Sequence, residues 1–120
     1  MATVFFVDDD PVTLQILGKA AQILGHEPVL IVSGSEVLSR ALENKPDLIM
    51  MDMMMPDMDG LDVLTALRNQ PELEDIPIVI LSAGAALDDG QRVQAAGAQG
   101  YLTKPLSLNT LLQTIKAFTN

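Results

Sequence analysis

The chain has no cysteine and no tryptophan, and its aromatic share is 3%. Without cysteine there is neither a disulfide scaffold nor a thiolate metal site, which fits a reducing compartment. Positive charge is equally scarce: seven Lys and Arg stand against sixteen Asp and Glu, for a net charge of −9. The seven are scattered, so the basic patch or stripe of a nucleic-acid binder is missing. No apolar run approaches the roughly 18 residues of a membrane span. The Met1-Ala2-Thr3 start has no basic segment leading into an apolar one, so no secretory signal is read and the cytoplasm is the expected location.

What is present is a packed core's worth of apolar residues, 48% of 120. That length suits one domain, expected over residues 1–120, and lets the chain bury about two thirds of its unfolded surface without staples. Short apolar runs at 4–7, 29–32, 48–51, 78–81 and 100–103 alternate with helical patterns. Near-continuous apolar runs of this length predict strands covered on both faces, as in parallel sheets. Leu14, Leu17, Ala21 and Leu24 carry the first helical stripe, with Asp10 as N-cap, Pro11 in the first turn and Gly25 just past the end. Val37, Leu38, Ala41 and Leu42 mark a second helix. Leu61, Val63, Leu64 and Leu67 mark a third, capped by Asp59. Leu87, Val93 and Ala96 mark a weak fourth, and Leu108, Leu111, Leu112, Ile115 and Phe118 a clear fifth. Right-handed crossovers then give an α/β, doubly wound, five-stranded parallel sheet of flavodoxin-like order 2-1-3-4-5.

In such a sheet the site lies beyond the carboxyl ends of the strands, where the strand order switches. Four runs end in polar residues: Asp8-Asp9-Asp10, Asp52, Ser82 and Lys104. Unit charges about 4 Å apart repel by about 4 kcal/mol at an effective dielectric near 20, so gathered carboxylates need a raised pKa or a cation. Mg²⁺, which keeps waters and takes one or two carboxylates plus phosphate oxygens, suits them. A carboxylate can also attack a phosphoryl group. Taken singly, these residues allow plainer readings. Asp8-Asp9-Asp10 also suits a solvated helix start, with Asp10 only a cap. Asp57, Asp59 and Asp62 read as loop and helix-start acids, Tyr101 also as a half-buried edge aromatic, and His26 as exposed. Six of the seven methionines fall between Met50 and Met58. They read as strand core and loop filler ahead of a soft-metal site.

Four motifs carry a resemblance: Val7-Asp8-Asp9-Asp10-Pro11, Asp52-Met53-Met54-Met55-Pro56-Asp57-Met58-Asp59-Gly60, Leu81-Ser82-Ala83, and Tyr101-Leu102-Thr103-Lys104-Pro105. In this order and spacing the chain closely resembles a receiver domain of the two-component response regulators, of the single-domain, chemotaxis-regulator-like kind. The resemblance implies that Asp52 accepts a phosphoryl group from a phosphohistidine on a sensor kinase or phosphotransfer protein. It implies Mg²⁺ held by Asp9, Asp52 and the backbone carbonyl of Met54, with Asp8 acting through water. Ser82 and Lys104 would meet the phosphoryl group, Tyr101 would change rotamer, and the Lys104-Pro105 bond would be cis. The face formed by helix four, strand five and helix five would then alter binding to a downstream protein. Met54 and Gly84, at the positions that tune hydrolysis in this family, have side chains unable to orient a water. A phosphorylated state lasting minutes or longer is therefore expected.

Two other functions compete. One is a small Mg²⁺-dependent phosphatase, for which Asp57-Met58-Asp59-Gly60 mimics a haloacid-dehalogenase motif. That motif belongs directly after a strand, and no separate general acid accompanies Asp52. The other is a phosphorylation-independent interaction domain, which the complete acid, hydroxyl and lysine set disfavours. The expectation is a switch that modifies itself, not an enzyme acting on outside substrates.

Overall fold

The computed structural model describes residues 1–83 and 89–119. Leu87 and Gly84 lie outside the described residues. Five parallel strands form one sheet: β1 (Thr3–Val7), β2 (Glu27–Ile31), β3 (Leu48–Asp52), β4 (Ile78–Ser82) and β5 (Gly100–Thr103). Their order is β2-β1-β3-β4-β5, the expected doubly wound arrangement. The helices among the described residues are α1 (Pro11–Ile23), α2 (Val37–Glu43), α3 (Gly60–Arg68), α4 (Asp89–Ala95) and α5 (Leu108–Thr119). Short 3₁₀ turns cover Gly34–Glu36 and Pro71–Leu73. None of these helices is long and apolar enough to cross a membrane.

Alternation along each strand sorts the core into two layers. Val4, Phe6, Leu48, Met50, Val79 and Leu81 meet α1 and α5 through Leu14, Leu17, Leu111 and Ile115. Phe5, Val7, Ile49, Met51, Ile78 and Ile80 face the other way, onto Val37, Val63, Leu64, Leu67 and Val93 of α2, α3 and α4. Both faces are covered, which is why β3 and β4 are buried along their whole length.

Local signals set the helix ends. Asp10 caps α1 by accepting from the Val12 N–H, and Asp59 caps α3 by accepting from the Leu61 N–H. Past α1 the chain reverses at Gly25, whose φ of +80° suits a residue without Cβ. Gly60 is required for another reason: a Cβ there would lie 2.7 Å from the Asp52 carbonyl oxygen.

Four of the five strands differ in their limits from the sequence reading, β1 only by starting at Thr3. β2 runs from Glu27 to Ile31 rather than over 29–32, because its register is set by β1, with Thr3 opposite Glu27 and Val7 opposite Ile31. Val32 is left outside the strand and 53% exposed. Pro28 is tolerated because β2 is an edge strand. Asp52 and Ser82 are the last paired residues of β3 and β4, opposite Leu81 and Thr103, instead of following the strands. His26 is half-buried, not exposed. Its Nδ1 accepts from the Ala2 N–H at 3.0 Å, and its Nε2 lies 3.2 Å from Thr119 Oγ1.

Candidate functional site

Parallel pairing brings the ends of β1, β3, β4 and β5 to one edge. The Asp8 N–H still donates to the Ile31 carbonyl, so Asp8 is held as an extension of β1. Asp8, Asp52 and Ser82 are the three buried polar side chains among the described residues, while Asp9 is exposed at the rim. One carboxylate oxygen from each of Asp8, Asp9 and Asp52 falls within 4.8 Å of the others. Two oxygens on opposite sides of an ion with bonds near 2.1 Å are about 4.2 Å apart. The donor set is hard, anionic and of that span, so these residues fit a small divalent cation.

Lys104 reaches into the same pocket. Its main-chain N–H donates to the Ser82 carbonyl at 2.6 Å, and its ammonium lies 2.9 Å from Asp8 Oδ2 and 3.5 Å from Asp52 Oδ1. The other Asp8 oxygen accepts from the Asp10 N–H at 2.9 Å. Both oxygens of Asp8 are thus engaged, whereas Asp52 has the looser hold on the cation. Burial raises the Asp52 carboxyl above the ordinary range. Lys104 and the Met54 N–H oppose that rise, and the neighbouring Asp8 charge adds to it. Burial alone would lower the Lys104 ammonium, but its hydrogen bond to Asp8 and the charges of Asp52 and Asp8 outweigh it and hold it above the usual lysine value. The Lys104-Pro105 bond is cis. Beside it, between α1 and the start of α5, opens an apolar groove of about 520 Å³ lined by Ile16, Leu17, Leu106, Leu108 and others.

The remaining sequence candidates fall nearby or elsewhere. Met54 follows Asp52 in the β3–α3 loop, its side chain 71% exposed. Tyr101 is opposite Ile80, two pairs short of the strand end at Ser82, and its ring lies against Gly90 of α4 rather than in the acidic pocket. The Asp10 carboxylate bonds around the start of α1, to Val12 and Thr13, and the Thr13 hydroxyl foremost lowers its pKa. The methionines split between the two cores, Met50 in one and Met51, Met53 and Met55 in the other, with Met58 packed against the second.

One residue was passed over in the sequence. Asp57 accepts from Ser33 Oγ at 2.7 Å, Ser35 N at 3.0 Å and Gly34 N at 3.3 Å. The Ser33 hydroxyl first and then the two backbone donors lower its pKa to about 2. The available signal was a Ser-Gly-Ser turn ahead of α2 whose own cap residue, Ser33, makes no capping bond.

The model of the response regulator receiver domain matches residues 4–116. The polar-differentiation response regulator DivK of Brucella ovis is 33% identical over 116 residues, covering 97% of this chain and 94% of DivK. Among solved structures, the chemotaxis response regulator CheY4 of Vibrio cholerae superposes with a TM-score of 0.92 at 33% identity, covering 98% of each chain. The receiver domain of the Francisella response regulator 1452 gives 0.91 at 29% identity, covering 99% of this chain and 97% of that one. The match begins in β1 and ends in α5, and so takes in every strand end described above: the chain belongs to the family of response regulator receiver domains, signalling modules of two-component systems.

Proposed function

We propose that residues 1–120 act as one receiver domain, a cytoplasmic switch set by phosphorylation of Asp52. The observation that carries this reading is the asymmetry of the ion pairs. Lys104 sits closer to Asp8 than to Asp52, 2.9 against 3.5 Å, so Asp52 is a buried carboxylate only partly neutralised. Its raised pKa reflects a basic oxygen, apt for attack once ionised. In the step itself an Asp52 oxygen forms a bond to phosphorus as the P–N bond of the donor's phosphohistidine breaks. The electron pair stays on the imidazole nitrogen, which then takes up a proton. The apolar groove beside Lys104 gives the donor protein a surface next to that oxygen.

Asp9, Asp52 and the Met54 carbonyl would hold Mg²⁺, which supplies neutralisation of phosphoryl charge. Asp8, with both oxygens already bonded, acts through water. The phosphoryl group adds about −1.5 to −2 charges and strong acceptors. Lys104 and the Ser82 hydroxyl turn to them, drawing the ends of β4 and β5 inward. The α4, β5 and α5 face, with Tyr101 against Gly90, passes the change to a downstream protein. The exposed thioether of Met54 cannot orient a hydrolytic water, so the phosphorylated form should persist for minutes.

Acetyl phosphate with Mg²⁺ should add one phosphoryl group to the intact mass of the wild type and none to Asp52→Asn. Equal labelling of both, or labelling of neither, would remove Asp52 from this role. Mass spectra taken at intervals after buffer exchange give the lifetime, and loss within seconds would refute the persistence.

A further inference from the structure

We propose that Asp57 is a positioning residue for the cation pocket: by clasping the turn ahead of α2 it fixes the loop that presents the Met54 carbonyl. This rests on the pocket reading above and concerns a contact outside the pocket. The loop leaves β3 with the Met53 N–H donating to Leu81 O at 2.8 Å, and it closes with the Gly60 N–H donating to Met53 O at 2.7 Å. Between those pins Met55 is buried in the core, while Met54 is 71% exposed and its backbone is held on one side by its N–H to the Asp52 carboxylate. Asp57 supplies a second anchor, on the far side of the loop. Its Oδ2 takes the Ser33 hydroxyl and the Ser35 N–H, and its Oδ1 takes the Gly34 N–H. Ser33 makes no capping bond of its own, so the carboxylate that caps this 3₁₀ turn comes from the loop after Asp52.

A second observation points the same way. A Cβ on Gly34 would lie 3.1 Å from Met55 Cε and 3.3 Å from Met58 Cβ, so the two segments meet at a separation that a glycine permits. The turn ahead of α2 and the Met54 loop therefore move as one piece. Outer partners that orient metal ligands commonly govern affinity by roughly 10- to 100-fold.

The test uses the full chain and Mn²⁺ as the probe ion, with free Mn²⁺ followed by electron paramagnetic resonance. Asp57→Ala should weaken binding about 10-fold. Asp57→Asn, whose one amide oxygen can keep either the Gly34 N–H or the Ser33 and Ser35 donors but not both, should recover part of that loss. Gly34→Ala should weaken binding by forcing the two segments apart, and serves if Asp57→Ala does not fold. Arg68→Lys, which loosens the opposite pole, should leave affinity unchanged. Wild-type affinity in Asp57→Ala, no recovery in Asp57→Asn, or an equal loss in Arg68→Lys would each overturn the proposal. A wild type that binds no Mn²⁺, or binding that survives Asp52→Asn, would instead bring down the pocket reading and this inference with it.

Discussion

At the scale of single residues, the pocket holds two opposed titrations. Asp52 has its pKa raised by burial, so the folded state binds that proton more tightly than the unfolded chain does. Its contribution to stability is greatest below the unfolded carboxylate pKa of about 4 and falls as pH rises through the folded value. At pH 7 without divalent ions, Asp52→Asn should therefore melt a few degrees higher than wild type, and the gain should disappear toward pH 3. Adding Mg²⁺ should raise the melting temperature of the wild type alone, by ligand linkage. Melting curves over pH and Mg²⁺ check both. Lys104 has the opposite sign. Its raised pKa means that its contribution is complete below about 10.4 and lost as pH climbs through the folded value. Lys104→Met leaves buried Asp8 without its cation and should cost about 1–3 kcal/mol at pH 7. The variant should also lose the alkaline fall above about pH 10. Chemical denaturation at pH 7 and 11 measures this, and Asp8→Asn added to Lys104→Met should cost less than the sum.

At the scale of elements, helix ends were legible because their signals are local: Asp10 caps α1 and Asp59 caps α3 through bonds two residues away. The start of β2 was not, because an edge strand takes its limits from its neighbour and not from its own apolar run. Least legible was Arg68. Its Nε donates to Gly97 O, Nη1 to Leu73 O and Glu74 O, and Nη2 to Ile76 O and Gln99 Oε1. Five donors meet five acceptors, four of them backbone carbonyls that no residue type announces. The clamp ties the end of α3, the turn before β4 and the turn before β5. A lysine ammonium cannot serve that fork, so Arg68→Lys should lose about 2–4 kcal/mol, read by urea denaturation.

At the scale of the whole molecule, the site pole was legible because parallel strands put every carboxyl end on one edge. Four runs ending in acid, acid, hydroxyl and lysine therefore had to converge. The opposite pole was not legible. There His26 joins Ala2 to Thr119 across 24 and 93 residues of sequence, and nothing in the neighbouring residues marks it. The clasp of Asp57 on the 33–35 turn escaped for the same reason, since its partners lie 22 to 24 residues away. What the sequence hid in each case was a polar contact between segments far apart in the chain, where neither periodicity nor turn chemistry leaves a trace.

The bond between Lys104 and Asp8 spans 96 residues of chain. During synthesis at about 5–20 residues per second, the lysine leaves the ribosome roughly 5–20 seconds after its carboxylate partner. For that interval the nascent chain carries the clustered acids without Lys104, and the pocket cannot take its final form. The pocket is thus completed late, when β5 docks and brings Lys104 to the acids.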